Sequence, residues 1–530
     1  MRTVTAPRRP ALRAPTPVVP AWPAAPAPWL PRSTPALAAT PWRGAGAATH
    51  APAASAHEEI AGSHPLVDER GNAVLHARAE RIGREFDRIE SLLADLAQRQ
   101  FEAGFADAAR DALRTTLRLD VPPQALAAHW AEPLDARRLY ARLVVGTFGR
   151  LMAEGFDAPM APTDDGENAA ALVRRWGFHA IDISPCADGR LSGVIDYVLR
   201  VPAAVVRSRR SSAGALFDVE EALRRWESVE LERWRHARPN APQEATRYLK
   251  LGIYHFSRFD PAHEGCAAHG SDALRAASTL LQRLQQFEQA VARVHGEVAR
   301  PAILLVGVDT DTDAIRVHVP DAQGRIDPQR SVDSRELFEA TRTLARAAAK
   351  EAIRAAVAAC AGTAADDAAT EGMRWFCAFL VKNNFSQLEA VRRAHRGRYA
   401  DAGHTERLIV VGDPVDEVQL RNLAFQAQFD TVEEGAADLD IGIAILARHH
   451  APRRLAVPLL VHARFDPRVD GARERAEGRV RRMRAAIEAR WRAEVDRAVL
   501  DVHGMVWGGM GHEPATIEPP VDAMETEPRR

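Results

Sequence analysis

Phe178-His179-Ala180-Ile181-Asp182-Ile183-Ser184-Pro185-Cys186-Ala187-Asp188-Gly189-Arg190 is the stretch that decides how this chain reads. Phe178–Ser184 is an apolar run of strand length. Just past its end a thiol, a carboxylate and a guanidinium stand at alternate positions: Cys186, Asp188 and Arg190. A thiolate can hold a metal. A carboxylate two residues on can orient a metal-bound hydroxide, and an arginine two further can keep that carboxylate ionised and pointed. Those are the parts of a zinc-hydroxide site.

Outward from this loop the pattern alternates. Leu191–Leu199 reads as a helix, Tyr248–Tyr254 as a second strand ending at His255, and Ala302–Val308 as a third strand. Between the last two lies the loop Gly265-Cys266-Ala267-Ala268-His269-Gly270. Ser271 reads as the N-cap of a helix that aligns Leu274, Leu281, Leu284, Phe287, Val291 and Val294. Strand, loop, helix, strand is the grammar of an α/β sheet, and sites in such sheets gather beyond the carboxyl ends of strands. Cys186, His255 and Cys266 all stand there and are the candidate metal ligands. A Cys₂His set leaves the fourth tetrahedral position of zinc open for water. Spacing alone leaves two alternatives: Cys266 with His269 as a ligand pair, or cysteines that are simply small buried apolar residues.

The rest of the chain sets bounds. Its 530 residues can bury a sizeable core in several domains. Hydrophobic content of 46% with 27% charged residues is that of a soluble globular protein, and a net charge of -1 argues against a general nucleic-acid or membrane surface. No apolar run is long enough to span a bilayer. Four cysteines, Cys186, Cys266, Cys360 and Cys377, fit a reducing compartment better than a disulfide scaffold.

Residues 1–57 hold twelve prolines, six arginines and no acidic residue, and they read as a disordered tail. They lack the proline-free apolar centre of a signal peptide. Trp22, Trp29 and Trp42, set among the arginines, resemble a segment that folds onto an acidic partner, with a plain linker as the other reading. Residues 58–157 read as a helical domain. Ile82, Phe86, Ile89, Leu92, Leu93 and Leu96 keep the 3.6 period, and Arg84, Glu85, Asp87, Arg88 and Glu90 take the opposite face. A polar linker, 155–167, leads into a zinc domain taken as 158–398. Residues 399–515 form a second α/β-like domain. In it Leu408–Val411 reads as a strand, and Val415–Gln426 and Ala472–Leu500 read as helices. No cysteine follows Cys377, so this domain cannot hold a thiolate-ligated metal. Residues 516–530 read as a frayed end.

Other signals read as structural. Asp309-Thr310-Asp311-Thr312-Asp313 starts like a calcium loop, but the sixth position is Ala314 and the twelfth Pro320, so it reads as a turn between strands. The arginine run 479–484 reads as a solvated helix face. Cys360 and Cys377 sit in helical contexts as packing residues. His179 and His269 read equally well as supports of a metal site and as structural histidines.

Gly177–Leu191, Gly265–Ser271 and Gly307–Asp321 together resemble the carboxysome shell carbonic anhydrases, a divergent branch of the β-class also called the epsilon-class. The resemblance covers roughly 165–510. It implies an α/β fold with a β-carbonic-anhydrase-like catalytic domain and a decayed, metal-free duplicate of it, preceded by the helical domain. It also implies one Zn2+ per chain on Cys186, His255 and Cys266, with Asp188 and Arg190 as the catalytic dyad. CO2 and bicarbonate are the implied substrates, and the implied assembly is a homodimer. The implied place is the carboxysome of a bacterial cytoplasm, at the inner face of the shell, among shell proteins. Rubisco is the expected partner of the tail and the expected consumer of the CO2. In ordinary β-class enzymes two residues separate the histidine from the second cysteine, whereas here ten separate His255 from Cys266. The competing reading is a zinc-stabilised adaptor between shell and Rubisco that has lost catalysis. A zinc hydrolase is weaker, since no His-Glu-x-x-His arrangement occurs.

Overall fold

In the computed structural model the run Phe178–Ser184 forms a strand, β1 (Phe178–Pro185), buried along nearly its whole length. The structure describes residues 62–128, 133–155, 169–235, 246–362, 367–400, 403–415, 417–509 and 511–517. The tail 1–57 and most of the 155–167 linker lie outside them. Burial on both faces is what a continuous apolar run in a parallel sheet requires. β1 pairs in parallel with β2 (Val206–Arg209) and with β3 (Arg247–Phe256), and β3 pairs in parallel with β4 (Ala302–Asp309). β5 (Ile315–His318) and β6 (Val332–Asp333) add antiparallel strands, for an order β2-β1-β3-β4-β5-β6.

Two local expectations for this sheet are corrected. Leu191–Leu199 is not an α-helix. It is a 3-10 turn, Gly189–Leu191, followed by a π turn, Val194–Leu199. Side chains take the backbone donors that would start an α-helix: Asp188 accepts from Arg190 N–H, and Gln419 accepts from Gly193 N–H. The N-cap of the helix Ala273–His295 is Asp272, which accepts from Arg275 N–H, while Ser271 sits one residue earlier at φ 63°. Leu280, Leu281, Leu284, Phe287 and Val291 make its buried face, and Leu274 and Val294 are exposed.

The second sheet comprises β7 (Leu408–Gly412), β8 (Ala424–Ala427), β9 (Val457–Arg464), β10 (Leu500–Trp507) and β11 (Ala515–Ile517). Its order is β11-β10-β9-β7-β8. Read from the other edge, this is second, first, third, fourth, fifth, the order of β2-β1-β3-β4-β5. Directions match as well: four parallel strands and an antiparallel fifth. The chain therefore holds two copies of one sheet topology. The described residues of 415–426 form no helix. Residues 417–423 form an irregular segment with Asn422 at φ 59°, pinned through Asn422 N–H to the Gly189 carbonyl, and it runs into β8. The expected Ala472–Leu500 helix stops at Arg490, resumes as Arg492–Asp496, and ends before β10 starts at Leu500. Trp491 makes the break, with its indole donating to Asp440. Thr516 and Ile517, read as frayed, are ladder residues opposite Met505 and Gly504.

Helices Glu69–Arg99, Phe105–Leu117 and Ala136–Glu154 form the helical region. Their apolar stripe, with Ile82, Phe86, Ile89, Leu93 and Leu96, shares one core with Leu408, Val410, Leu460 and Trp507, so these helices cover one face of the second sheet. Helices Val432–His450 and Ala472–Arg490 cover the other face. Glu85, expected on the polar face, is buried and meets Arg150 at 2.8 Å. In the 479–484 run, Arg481 and Arg484 pair with Glu477 and Glu488 on their own helix, and Arg479 pairs with Asp413.

Candidate active site

Parallel pairing of β1 with β3, in which Pro185 lies opposite Ile253, brings Cys186, just past β1, to within one residue of the level of His255 near the end of β3. Cys266 arrives from the loop beyond β3. All three are buried, and their ligand atoms lie within 4.8 Å of one another. The two Sγ atoms are 4.0 Å apart and both thiols are free. A disulfide needs about 2.05 Å. Two sulfurs each about 2.3 Å from a tetrahedral zinc fall about 3.8 Å apart. Neither ring nitrogen of His255 makes a well-aligned hydrogen bond, although the ring is fully buried, and Nε2 has only the Asp188 carboxylate nearby at 3.2 Å. A buried polar group left without a partner is costly, and a bound metal would remove that cost at one nitrogen. Contact with Cys266, together with burial, holds the Cys186 thiol well above the usual thiol range. A cation at the centre is what makes two adjacent thiolates tenable. The donor set therefore fits zinc.

Supports surround the cluster. Gly214 N–H donates to Cys186 Sγ at 3.3 Å, and His269 Nε2 donates to the Gly214 carbonyl at 3.2 Å. Gly214 has φ 65°, and a Cβ there would meet His269 Nε2 at 2.7 Å. His269 thus braces the loop beside Cys186 and is not grouped with Cys266 as a ligand pair. His179 points elsewhere, to Thr246, Glu230 and Arg233. Cys377 is packed in the core and Cys360 against it, as expected. The 309–313 segment is the turn from β4 to β5. Its carboxylates are engaged by Ser257, Arg258, Thr312, Gln387 and Tyr399.

Asp188 and Arg190 form a bidentate pair. Oδ1 accepts from Arg190 Nε at 3.0 Å and Oδ2 from Nη2 at 2.8 Å. Arg190 Nη1 donates to the Glu264 carbonyl at 2.8 Å, which fixes the fork from behind. Asp188 Oδ2 lies 3.2 Å from His255 Nε2, so the dyad adjoins the cluster. Burial pushes the Asp188 carboxyl up, but Arg190, His404 and His255 outweigh it and hold the group well below the usual carboxylate range. This aspartate is ionised at neutral pH.

Two further residues, His404 and Glu406, were not singled out from the sequence. Glu406 is fully buried, and its Oε1 accepts from Gly189 N–H at 3.1 Å and from His404 Nδ1 at 2.9 Å. His404 Nε2 lies 3.4 Å from Arg190 Nη2 and 3.8 Å from Asp188 Oδ2. The second sheet also grips this loop through its backbone: Gln426 N–H donates to the Ala187 carbonyl and Gln428 N–H to the Ser211 carbonyl. Asp188, His404 and Glu406 are grouped closely enough to hold a cation, but the Arg190 guanidinium already sits among them.

Known proteins are similar to this chain over most of its length. The family model "Carboxysome Shell Carbonic Anhydrase, catalytic domain" matches residues 168–404, its C-terminal counterpart matches 405–518, and its N-terminal counterpart matches 64–156. The carboxysome shell carbonic anhydrase of Halothiobacillus neapolitanus (strain ATCC 23641 / c2) is 40% identical over 434 residues, covering 81% of this chain and 84% of that protein. Proteins of the same name from Hydrogenovibrio crunogenus (strain DSM 25203 / XCL-2) and Prochlorococcus marinus (strain MIT 9313) are 37% and 40% identical, over 81% and 82% of this chain and 82% and 85% of their own lengths. With its paired sheets, its helical region and these matches, the chain belongs to the carboxysome shell carbonic anhydrase family.

Proposed function

We propose that this chain is a zinc-dependent carbonic anhydrase that interconverts CO2 and bicarbonate inside a carboxysome. The observation that carries this reading is the buried Cys186–His255–Cys266 cluster beside an ionised Asp188 locked by Arg190. Those three residues would hold zinc, one ion per chain, and zinc supplies a Lewis acid that makes water a nucleophile near neutral pH. Asp188 accepts a hydrogen bond from that nucleophile and turns an oxygen lone pair toward CO2. Arg190 keeps the carboxylate ionised and stops it from swinging the short distance to the cluster. Burial keeps bulk water from competing for these contacts. Bicarbonate then leaves, and one proton must reach solvent before the next turnover.

The adaptor reading, in which catalysis is lost, is less well supported. A structural zinc site closes with four protein ligands, and this cluster has three. Reversible chemistry sets no direction, so net release of CO2 beside Rubisco, at the inner face of the shell, is proposed from the family's setting. A homodimer, shell-protein contacts and capture of Rubisco by residues 1–57 belong to the same proposal. So does the division into a tail 1–57, a helical domain 58–157, a catalytic domain 158–398, a metal-free domain 399–515 and an end segment 516–530. CO2 hydration measured with and without a chelator, alongside elemental analysis for zinc, tests the central reading. Zinc-loaded protein that does not hydrate CO2 would move the weight to the adaptor.

A further inference from the structure

Among the described residues, Arg190, His255 and His404 are charged or titratable side chains that act on Asp188. The first two have essentially no exposure. The His404 side chain is 14% exposed and so touches both the dyad and solvent. Its orientation is imposed. His404 Nδ1 lies 2.9 Å from Glu406 Oε1, which turns Nε2 toward Asp188 and Arg190. Arg190 Nη2 gives its short bond to Asp188 at 2.8 Å and reaches Nε2 only at 3.4 Å, which leaves that nitrogen weakly engaged. The His404 ring also lies 6.4 Å, centroid to centroid, from the half-buried His449 near the end of the helix Val432–His450.

We propose that His404, with Glu406 as its positioning residue, carries the proton of CO2 hydration from the dyad to solvent. This rests on the carbonic anhydrase reading above. CO2 and water give bicarbonate and one proton. An O–H bond of the site water breaks and an N–H bond forms at His404 Nε2. Asp188, fixed by the Arg190 fork, orients the water and does not take the proton itself. The imidazolium retains Nδ1–H on Glu406 and loses its Nε2 proton to an external buffer base, and no oxidation state changes. Nε2 lies 3.8 Å from Asp188 Oδ2, and catalytic hydrogen bonds that are long in a resting site tighten when substrate arrives. Burial lowers the affinity of His404 for a proton, and so does Arg190. Asp188 and Glu406 outweigh both and raise its pKa from the ordinary imidazole value.

The test uses zinc-loaded, full-length protein with His404→Gln, His404→Ala and Glu406→Gln. In dilute buffer both His404 variants should lose about tenfold or more in kcat while kcat/KM for CO2 stays within about twofold, because proton release follows the chemical step. Imidazole in the buffer should restore His404→Ala, and zinc content should stay at the parent value. Independently of activity, the His404 ring signal in histidine-labelled protein should titrate above 6.5, and Glu406→Gln should lower its midpoint. An unchanged kcat in dilute buffer overturns the proposal. So does a joint fall of kcat and kcat/KM without imidazole rescue, which assigns the ring a shaping role alone. If the His404 variants do not fold, a parent ring signal that fails to titrate in that range overturns it. A zinc-loaded parent protein that does not hydrate CO2 overturns the underlying reading instead.

Discussion

Asp413 sits in the second sheet where Cys186 sits in the first. Cys186 N–H donates to the Ile253 carbonyl at 3.1 Å, and Asp413 N–H donates to the His462 carbonyl at 3.0 Å. Counting two residues on from each acceptor places Arg464 where His255 stands. Asp413 Oδ2 accepts from Arg464 N–H at 2.7 Å, its Oδ1 pairs with Arg479, and Arg464 pairs with Glu417. Ion pairs, with a guanidinium among them, have replaced a ligand pair. The chain should therefore bind one zinc, not two, by elemental analysis. Cys186→Ser and Cys266→Ser should each lose both metal and CO2 hydration. Near-full zinc occupancy in either variant removes that residue as a ligand.

The dyad prediction separates holding the metal from using it. Asp188→Asn should keep zinc and lose about 10²-fold or more in turnover, since an amide cannot orient the nucleophile as a carboxylate does. Arg190→Ala should also lose turnover, by a different route. With the fork gone, Asp188 is free to move the 3.2 Å toward His255 and enter the cluster. Full turnover in Asp188→Asn would refute the mechanism.

Legibility followed the range of the interactions. The three ligand candidates and the dyad stand out because each follows a strand of one repeating α/β pattern. His404 and Glu406 do not, because their partners Asp188 and Gly189 lie more than 200 residues away and no spacing joins them. The Val415–Gln426 segment misleads for the same reason. Its composition suits a helix, but Asn422 is bonded across the chain to Gly189, and tertiary contact overrides propensity. The Ser271 cap fails by one residue, since serine and aspartate compete for that position on equal intrinsic terms.

Residues 1–57 carry tryptophans and arginines without acid, within a chain whose net charge as a whole is -1. If they dock on an acidic partner such as Rubisco, deleting them should leave CO2 hydration intact and abolish capture in a pull-down. Capture by the intact chain should weaken as salt rises, because exposed charges are screened beyond about 8 Å at physiological ionic strength. Equal recruitment of the truncated protein places docking elsewhere.

Under the site, Lys250 is fully buried with its Nζ 2.6 Å from Asp182 and 2.8 Å from Ser184 Oγ. Its ammonium also lies over the Phe217 ring at 4.3 Å. β1 and β3, the strands that carry Cys186 and His255 to their meeting point, are tied by this pair. Lys250→Met leaves the Asp182 carboxylate buried and unpaired, which should cost about 3–5 kcal/mol of stability. Adding Asp182→Leu should recover most of it in chemical denaturation. A loss confined to a few tenths of a kcal/mol would mean that water reaches Asp182.

Gly189 reports most directly on the seam between the two halves. It lies between Asp188 and Arg190, and its N–H donates to Glu406. A Cβ there would meet Glu406 Cγ at 2.2 Å and Oε1 at 2.8 Å, inside the closest approach of real atoms. Glu406 cannot retreat, because the same oxygen holds His404. Gly189→Ala should therefore push the second sheet away from the dyad, costing about 1–3 kcal/mol by overpacking and lowering turnover while zinc stays bound. Shortening the opposing side chain isolates the cause. Gly189→Ala combined with Glu406→Ala should regain stability relative to Gly189→Ala alone, because the clash is gone. It should not regain turnover, because His404 has then lost the carboxylate that orients it. If the double variant regains both, Glu406 acts here only through its bulk.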